Sequence, residues 1–192
     1  KLVLQQCIID NAYNIGLFCN NSSVEANNSL ISNCGKNIFI QLGGNYNFTN
    51  CTLAAYSTNY LFHTNPVLLL QNFSNTTGGT VYGNLDAAFN NCIIWGSAGN
   101  INDELALDKQ GTTNFNVLLQ NCIYRADAPS PNATYTNSLR NADPLFDNID
   151  AQNNVYDFHT AVDAAAPGIN TGINTVFLKD LDDNNRAVGL PD

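Results

Sequence analysis

A pair of polar residues recurs along the first two thirds of the chain, and its spacing strongly constrains the fold. The second residue of each pair lies at positions 6, 28, 50, 72, 91 and 121. The first four positions are 22 residues apart, and the later spacings are 19 and 30. Four of the pairs precede a cysteine, as in Thr49-Asn50-Cys51. A period of this length predicts stacked units that bury their apolar faces against one another.

The apolar residues around each pair predict two strands joined by a bend. They lie four and two positions before the second polar residue and one and three after it, as in Tyr46, Phe48, Cys51 and Leu53 around Asn50. A continuous strand would reverse its apolar face within this pattern, because side chains alternate. A two-residue bend restores the face, and Asn tolerates the left-handed backbone of a bend. We attribute the excess of Asn, 33 of 192 residues, to such corners and to stacked amides, and a polar binding face is the alternative.

Two stacked-repeat folds share this pattern, a parallel β-helix and a leucine-rich repeat. A leucine-rich repeat would place a further Leu before each unit, but the positions hold polar residues or glycine: Asn21, Gly43, Asn65, Asn84 and Asn114. The intervening segments are β-like and show no helical periodicity: Ile15–Phe18, Ile38–Leu42, Tyr60–Phe62 and Val81–Tyr82. The sequence favours an all-β protein, a parallel β-helix of about six coils over residues 1–125, with the leucine-rich repeat as the alternative.

The six cysteines are predicted to be buried and unpaired. Cys7, Cys51, Cys92 and Cys122 share an inward position that holds Ser29 or Phe73 in the other repeats, so the position requires a small or apolar side chain. Side-by-side stacking gives poor disulfide geometry. The spacing also lacks the close cysteine and histidine pairs of a zinc site.

Beyond residue 125 the repeat stops, and the Ala128-Pro129-Ser130-Pro131 segment breaks regular structure. We expect residues 126–192 to form an irregular C-terminal cap that covers the open end of the sheets.

This C-terminal part carries four motifs in a characteristic order. They are Asp143-Pro144-Leu145-Phe146, Tyr156-Asp157-Phe158-His159, Pro167-Gly168-Ile169-Asn170-Thr171-Gly172 and Asp180-Leu181-Asp182-Asp183-Asn184-Asn185-Arg186. With the repeat, they resemble the right-handed parallel β-helix proteins of the pectin-lyase-like superfamily, especially secreted or lipid-anchored Bacteroidota proteins. Gly168 and Asp183 depart from the usual Ala and Gly of that pattern, and the chain stops at Pro191-Asp192 before the closing strand. The resemblance implies a right-handed β-helix and a C-terminal fragment of a longer protein.

Charge disfavours some partners. Lys and Arg total 7 against 16 Asp and Glu, a net charge of −9. Nucleic acid is therefore not an expected partner, because binding phosphates requires clustered cations. Apolar runs fall short of the ~20 residues that cross a bilayer. Membrane association is expected only through an anchor outside this sequence.

The repeats show no catalytic cluster. Their carboxylates share no common offset from the corners: Asp10, Glu25, Asp86, Asp103, Glu104 and Asp108. His63 and His159 are expected to be surface or packing residues. Asp180, Asp182 and Asn184 resemble the first half of a calcium loop and are weak metal candidates. A charged turn, in which Arg186 pairs with Asp180 or Asp182, is the favoured alternative, so no cofactor is expected.

The sequence favours a non-catalytic extracellular or cell-surface module. Such a module would serve as a scaffold, as an adhesin or in binding a glycan or protein partner, including as a lipoprotein component of an outer-membrane assembly. Four tyrosines at outward positions could stack on sugars or simply line the sheet surface: Tyr13, Tyr56, Tyr60 and Tyr82. The alternative is a polysaccharide lyase or glycoside hydrolase with its active site in a missing N-terminal part.

Overall fold

The computed structural model describes residues 1–97, 101–161 and 166–186. Within these residues the chain forms strands and no α-helix, so the all-β prediction is confirmed. The strands are β1 (Leu2–Gln5), β2 (Ile8–Asp10), β3 (Ile15–Asn27), β4 (Leu30–Ser32), β5 (Lys36–Thr49), β6 (Thr52–Ala55), β7 (Leu68–Gln71), β8 (Phe73–Thr76), β9 (Gly79–Tyr82), β10 (Leu85–Asn90), β11 (Ile93–Gly96), β12 (Leu105–Asp108), β13 (Phe115–Gln120), β14 (Ile123–Tyr124), β15 (Thr134–Thr136), β16 (Leu139–Arg140), β17 (Phe146–Asp150) and β18 (Val155–Thr160). In this part of the chain no helix has the length and apolarity to cross a bilayer.

Two parallel sheets make up most of the structure. The first sheet has the order β1-β3-β5-β10-β13-β15, with β7 pairing β5 and β12 pairing β7. The second has the order β16-β14-β11-β6-β4-β2. The chain alternates between the sheets from β1 to β6, so each strand pairs with one from a neighbouring repeat. This arrangement of two parallel sheets disfavours a leucine-rich repeat, in which a single sheet lines the array.

The strand register follows the repeat. Leu4, Ala26 and Phe48 are successive partners in the first sheet, and Phe48 is followed by Phe89. In the second sheet Ile31 pairs with Leu53 in the same way. The side chains of these interior positions form the core between the sheets. Because one residue of slip would turn every apolar side chain outward, the core fixes this register.

The repeat predicted around Asn72 is wrong. Leu70 does not lie beside Phe48, because β7 pairs with Ile38–Ile40 at the start of β5. Phe73 begins the antiparallel hairpin β8–β9, and Asn72 lacks a positive φ. Its buried side chain instead binds the backbone of Gln110 through a 2.7 Å and a 2.8 Å hydrogen bond. The polar pair at Asn72 therefore matches the 22-residue spacing by coincidence, because it precedes an inserted hairpin and not a stacked strand.

The prediction of a β-like segment at Tyr60–Phe62 is also wrong. These residues belong to an irregular loop between β6 and β7. Thr58 closes a turn there, because its hydroxyl accepts a hydrogen bond from Leu61 N at 2.9 Å. Such a turn competes with strand pairing for the backbone.

The corner residues have the predicted left-handed backbone. Asn28, Asn50 and Asn91 have φ angles of 47°, 53° and 51°. Their side chains form the predicted ladder, since Asn50 Nδ2 lies 3.1 Å from Asn28 Oδ1 and Asn91 Nδ2 lies 3.0 Å from Asn50 Oδ1. Eleven of the fifteen non-glycine residues with positive φ in the described chain are Asn. Asn is therefore abundant because it combines a left-handed conformation with an amide that spans adjacent strands.

The same corner side chains hold the C-terminal segment. Between Thr171 and Asp180, that segment crosses the row of corners and accepts an amide hydrogen bond at each of them. Five corner side chains donate to this segment: Gln6 to Asp180 O, Asn28 to Lys179 O, Asn50 to Thr175 Oγ1, Asn91 to Ile173 O and Asn121 to Thr171 O. The segment thus runs along the side of the strand stack. The two sheets meanwhile continue past residue 125 through β15 and β16, and the domain boundary near that residue stays a prediction.

Replacing Asn91 by alanine is expected to lower the free energy of unfolding by about 2 kcal/mol. A little under half reflects the left-handed backbone, which costs alanine ~1 kcal/mol, and the rest reflects three lost hydrogen bonds worth ~0.5 kcal/mol each at this half-buried position. Those bonds join Asn91 to Asn50 and, in both directions, to Ile173. Urea denaturation of Asn91→Ala and Asn91→Gly separates the effects, because glycine accepts the backbone but restores no bond. If both variants were as stable as the parent, neither the left-handed backbone nor the hydrogen bonds of Asn91 would stabilise this corner.

Burial of the cysteines agrees with the prediction at five of the six positions. Cys19, Cys34, Cys51, Cys92 and Cys122 are buried, whereas Cys7 is half-buried, and all six are unpaired. Cys51, Cys92 and Cys122 follow successive corners and point into the core. Burial raises the pKa of the Cys92 thiol well above its ordinary value, which keeps it protonated and poorly reactive.

Candidate functional site

The calcium candidates lie in a tight turn near the C-terminus. Asp180 Oδ1 accepts hydrogen bonds from the backbone N of Asp182 and of Asn184, at 2.9 and 2.8 Å. Its second oxygen accepts from the Asn184 side chain. Arg186 Nε donates to Lys179 O at 3.3 Å. In the part of the chain that the structure describes, no three His, Cys, Asp or Glu side chains converge to hold a metal ion. The charged turn without a cofactor stays the prediction, and calcium stays its alternative.

His159 joins this turn to the hairpin β17–β18. Its Nε2 lies 2.7 Å from Asp182 Oδ2, and its Nδ1 lies 2.5 Å from Asp157 Oδ1. The hydrogen bonds with Asp182 and then Asp157 raise the pKa of His159 to about 9. The imidazole is therefore cationic at neutral pH and donates to both carboxylates. This bridge links two of the C-terminal motifs.

His63 and Glu104 form a second pair, in the interior. His63 Nε2 lies 2.8 Å from Glu104 Oε1, and both side chains are almost completely buried. Glu104 Oε2 accepts from Val67 N at 3.2 Å. The pair ties the loop between β6 and β7 to the segment before β12. Sequence reasoning missed it, because the residues are 41 positions apart.

Two rows of outward-facing side chains form the floor of an open groove on the first sheet. The first row lies five residues before each corner: Ser23, Asn45, Asp86 and Asn116. The second row lies two residues later: Glu25, Asn47, Ala88 and Leu118. Partners within a row are ~4.8 Å apart, because they occupy adjacent strands. The groove has a volume of about 850 Å³ and extends to Thr134 on β15, so its five lining strands span ~19 Å.

Charges of both signs line this groove. Lys1 Nζ lies 2.6 Å from Glu25 Oε2, and Lys109 lines the same groove as Asp86. A wall is formed by residues 131–133, which precede β15. Asn132 in that wall is anchored by a hydrogen bond to Leu107 O at 3.2 Å. Two cations and two carboxylates leave the groove close to electrically neutral.

The floor offers both hydrogen-bond donors and acceptors. Asn116 Nδ2 donates to Asp86 Oδ1 at 2.7 Å, and Asn90 Nδ2 donates to Asn47 Oδ1 at 3.3 Å. These contacts orient the side chains and leave further amide and carboxylate positions for a ligand. The hydrogen bond with Lys1, followed by the charge of Lys1, lowers the pKa of Glu25. Glu25 is therefore ionised at neutral pH, unlike a general acid, whose pKa must be raised.

The sequence allowed a polar face of Asn side chains as an alternative but did not locate the groove, because offsets from the corners were not compared for amides. The amides Asn45 and Asn116 share with Asp86 the position five residues before a corner. That common offset was readable in the sequence, and including amides would have revealed the row. The carboxylates Glu25 and Asp86 do lack a common offset, but they still line one groove from adjacent rows.

The four outward tyrosines have different environments. Tyr56 packs in an aromatic cluster, with ring centroids 6.3 Å from Tyr156 and 6.1 Å from Phe158. Burial raises the pKa of its phenol, so Tyr56 holds the hairpin and cannot stack on a ligand. Tyr82 is partly exposed, whereas Tyr13 and Tyr60 are exposed by 85% and 88%.

Comparisons with protein-family models, with curated proteins and with solved structures found no match for this chain. Pro191 and Asp192, the last residues of the C-terminal pattern, lie outside the described residues.

Proposed function

We propose that this chain is a right-handed parallel β-helix of about six coils, of the pectin-lyase-like type, that binds glycans without cleaving them. Two observations support the β-helix: the chain alternates between two sheets, and parallel strands pair with strands about one period away, as β3 does with β5. Right-handedness follows from the strong preference of parallel crossover connections. The order of the four C-terminal motifs supports the family assignment.

The outward groove on the first sheet is the proposed binding site. The observation that carries the proposal is the regular row Asn45, Asp86 and Asn116, which repeats polar groups at strand spacing. Amide and carboxylate groups together complement sugar hydroxyls, which both donate and accept hydrogen bonds. The ~19 Å floor suits several linked sugar units rather than a single small molecule.

Charge favours a neutral glycan. The groove pairs Lys1 with Glu25 and is lined by both Lys109 and Asp86, and the whole chain carries −9. A polyanion would be repelled by this field and would meet few unpaired cations. The lowered pKa of Glu25 supports binding over hydrolysis, because hydrolysis needs one protonated carboxylic acid beside an ionised partner.

A cell-surface location completes the proposal. Glycans that present repeating neutral units are abundant outside cells, where a rigid stack of strands can also act as a scaffold or adhesin. The resemblance to secreted and lipid-anchored Bacteroidota proteins supports an extracellular role at the outer membrane. Anchoring would then be provided by residues outside this sequence.

Substituting Asp86 by alanine tests the groove. Calorimetric titration with a panel of neutral and anionic polysaccharides should show binding of a neutral polymer by the parent chain. Asp86→Ala should weaken that binding about tenfold, equal to ~1.4 kcal/mol, because it removes the central acceptor of the row. The matched control is Asp147→Ala, which removes the same charge from the exposed surface of β17 and should bind like the parent.

Other outcomes would reject the proposal. Preference for an anionic polymer, equal weakening in both variants, or no binding across the panel would argue against a neutral-glycan groove. Appearance of new reducing ends or unsaturated products during incubation would instead favour the hydrolase or lyase alternative. Circular dichroism of both variants checks that the sheets remain folded.

A further inference from the structure

A smaller pocket lies where three distant segments meet. Asn11 and Tyr13 come from the turn after β2, Tyr60 comes from the loop between β6 and β7, and Asn154 and Tyr156 come from the hairpin β17–β18. Together with Thr58 and Leu61, they enclose about 300 Å³. The pocket shares no lining residue with the groove.

Hydrogen bonds between the segments hold the pocket in shape. Asn59 N donates to Asn154 Oδ1 at 2.9 Å, which joins the loop to the hairpin turn. Tyr156 OH donates to Ser57 O at 2.8 Å, which joins them a second time. Thr58 closes the loop through its own turn. A preformed pocket of this kind loses little conformational entropy when a ligand binds.

The lining selects the chemistry of the ligand. Tyr13 and Tyr60 are more than four-fifths exposed, so their rings are accessible to a partner. Asn11 and Asn154 add amide groups, and the pocket-lining residues carry no charge. Aromatic faces pack against apolar C–H surfaces, while amides bind hydroxyls. A neutral sugar ring presents both surfaces at once.

We infer that this pocket binds a single neutral sugar residue, at the end or on a branch of a glycan, as a site separate from the groove. Its volume is at the lower end of the range for small-ligand sites, ~300–1,000 Å³. The ring would lie against Tyr13 and Tyr60, and its hydroxyls would bind the amides of Asn11 and Asn154. The inference does not depend on the groove, because the two surfaces have no side chain in common.

NMR titration with methyl glycosides of glucose, galactose, mannose and N-acetylglucosamine tests the pocket. At least one glycoside should shift the ring signals of Tyr13 and Tyr60 in a saturable manner. Tyr13→Ala and Tyr60→Ala should each weaken that binding about tenfold, since one aromatic contact contributes up to ~1.5 kcal/mol. Both side chains are exposed, so thermal unfolding of the two variants should match that of the parent.

Two control variants separate this site from its surroundings. Phe62→Ala removes an exposed aromatic from the same loop but outside the lining, and its binding should stay within twofold of the parent. Asp86→Ala should bind methyl glycosides normally even if it loses the polymer. The inference is overturned if no glycoside shifts the tyrosine signals, or if Phe62→Ala weakens binding as much as the tyrosine variants.

Discussion

Glu104→Ala is expected to lower the free energy of unfolding by about 3–5 kcal/mol, because two buried hydrogen-bonding groups lose their partner at a cost of ~1–3 kcal/mol each. Glu104 is completely buried and binds His63 Nε2 at 2.8 Å and Val67 N at 3.2 Å. Its loss leaves a buried imidazole and a buried amide without their acceptor. Chemical denaturation monitored by circular dichroism measures the change.

The matched control is Glu25→Ala. Glu25 pairs with Lys1 in an exposed ion pair, and such pairs contribute only ~0–1 kcal/mol. The loop between β6 and β7 should also gain hydrogen-exchange sensitivity in Glu104→Ala, because Glu104 anchors it through His63 and Val67. If the two variants had equal stability, the buried pair would not anchor this loop.

Phe89→Ala is expected to lower the free energy of unfolding by about 3–5 kcal/mol, the usual cost of deleting a buried aromatic ring. Phe89 is fully buried, and its ring stacks on Phe48 with centroids 5.0 Å apart and planes within 6°. Removing the ring leaves a cavity in the close-packed core and ends this contact. The same denaturation experiment measures the loss.

Phe18→Ala serves as the control for the aromatic deletion. Phe18 contacts Phe39 with a centroid distance of 5.5 Å, but half of its surface is exposed. Its deletion should cost less than about 1.5 kcal/mol, the range of an aromatic pair. A larger loss in Phe18→Ala than in Phe89→Ala would contradict the register that pairs Phe48 with Phe89.

The corners could be predicted because their cause is local. The change of side-chain parity between Phe48 and Cys51 requires a bend, and Asn50 is a residue type that tolerates one. The structure confirms the left-handed backbone at Asn50 and the amide ladder through Asn28 and Asn91. The bend depends on no distant residue, and the ladder follows once the bends repeat at a fixed period.

The order of the strands could not be predicted in the same way. Asn72 follows the 22-residue period, yet a hairpin inserted after it removes Phe73 from the core column and makes Phe89 the partner of Phe48. Nothing within one period distinguishes a stacked repeat from such an insertion. The difference depends on which segments pack together after a long excursion of the chain.

The candidate groove was likewise predictable from the sequence only in part. Its rows follow from the outward positions of the repeats and could have been found from the common offset of Asn45, Asp86 and Asn116. Its wall depends on Asn132, which is held by Leu107, and no pattern in the sequence links those two residues. The floor was therefore predictable in principle, and the enclosure was not.

By itself, the sequence determined that the chain forms β-strands, where it bends and which side chains face inward, because alternation and left-handed Asn act over a few residues. Only the tertiary structure decided which repeats become neighbours, that Glu104 meets His63, and that the C-terminal segment crosses the corner amides. These pairings join residues many positions apart, and their energies depend on burial and on exact geometry, which exist only after the sheets have assembled.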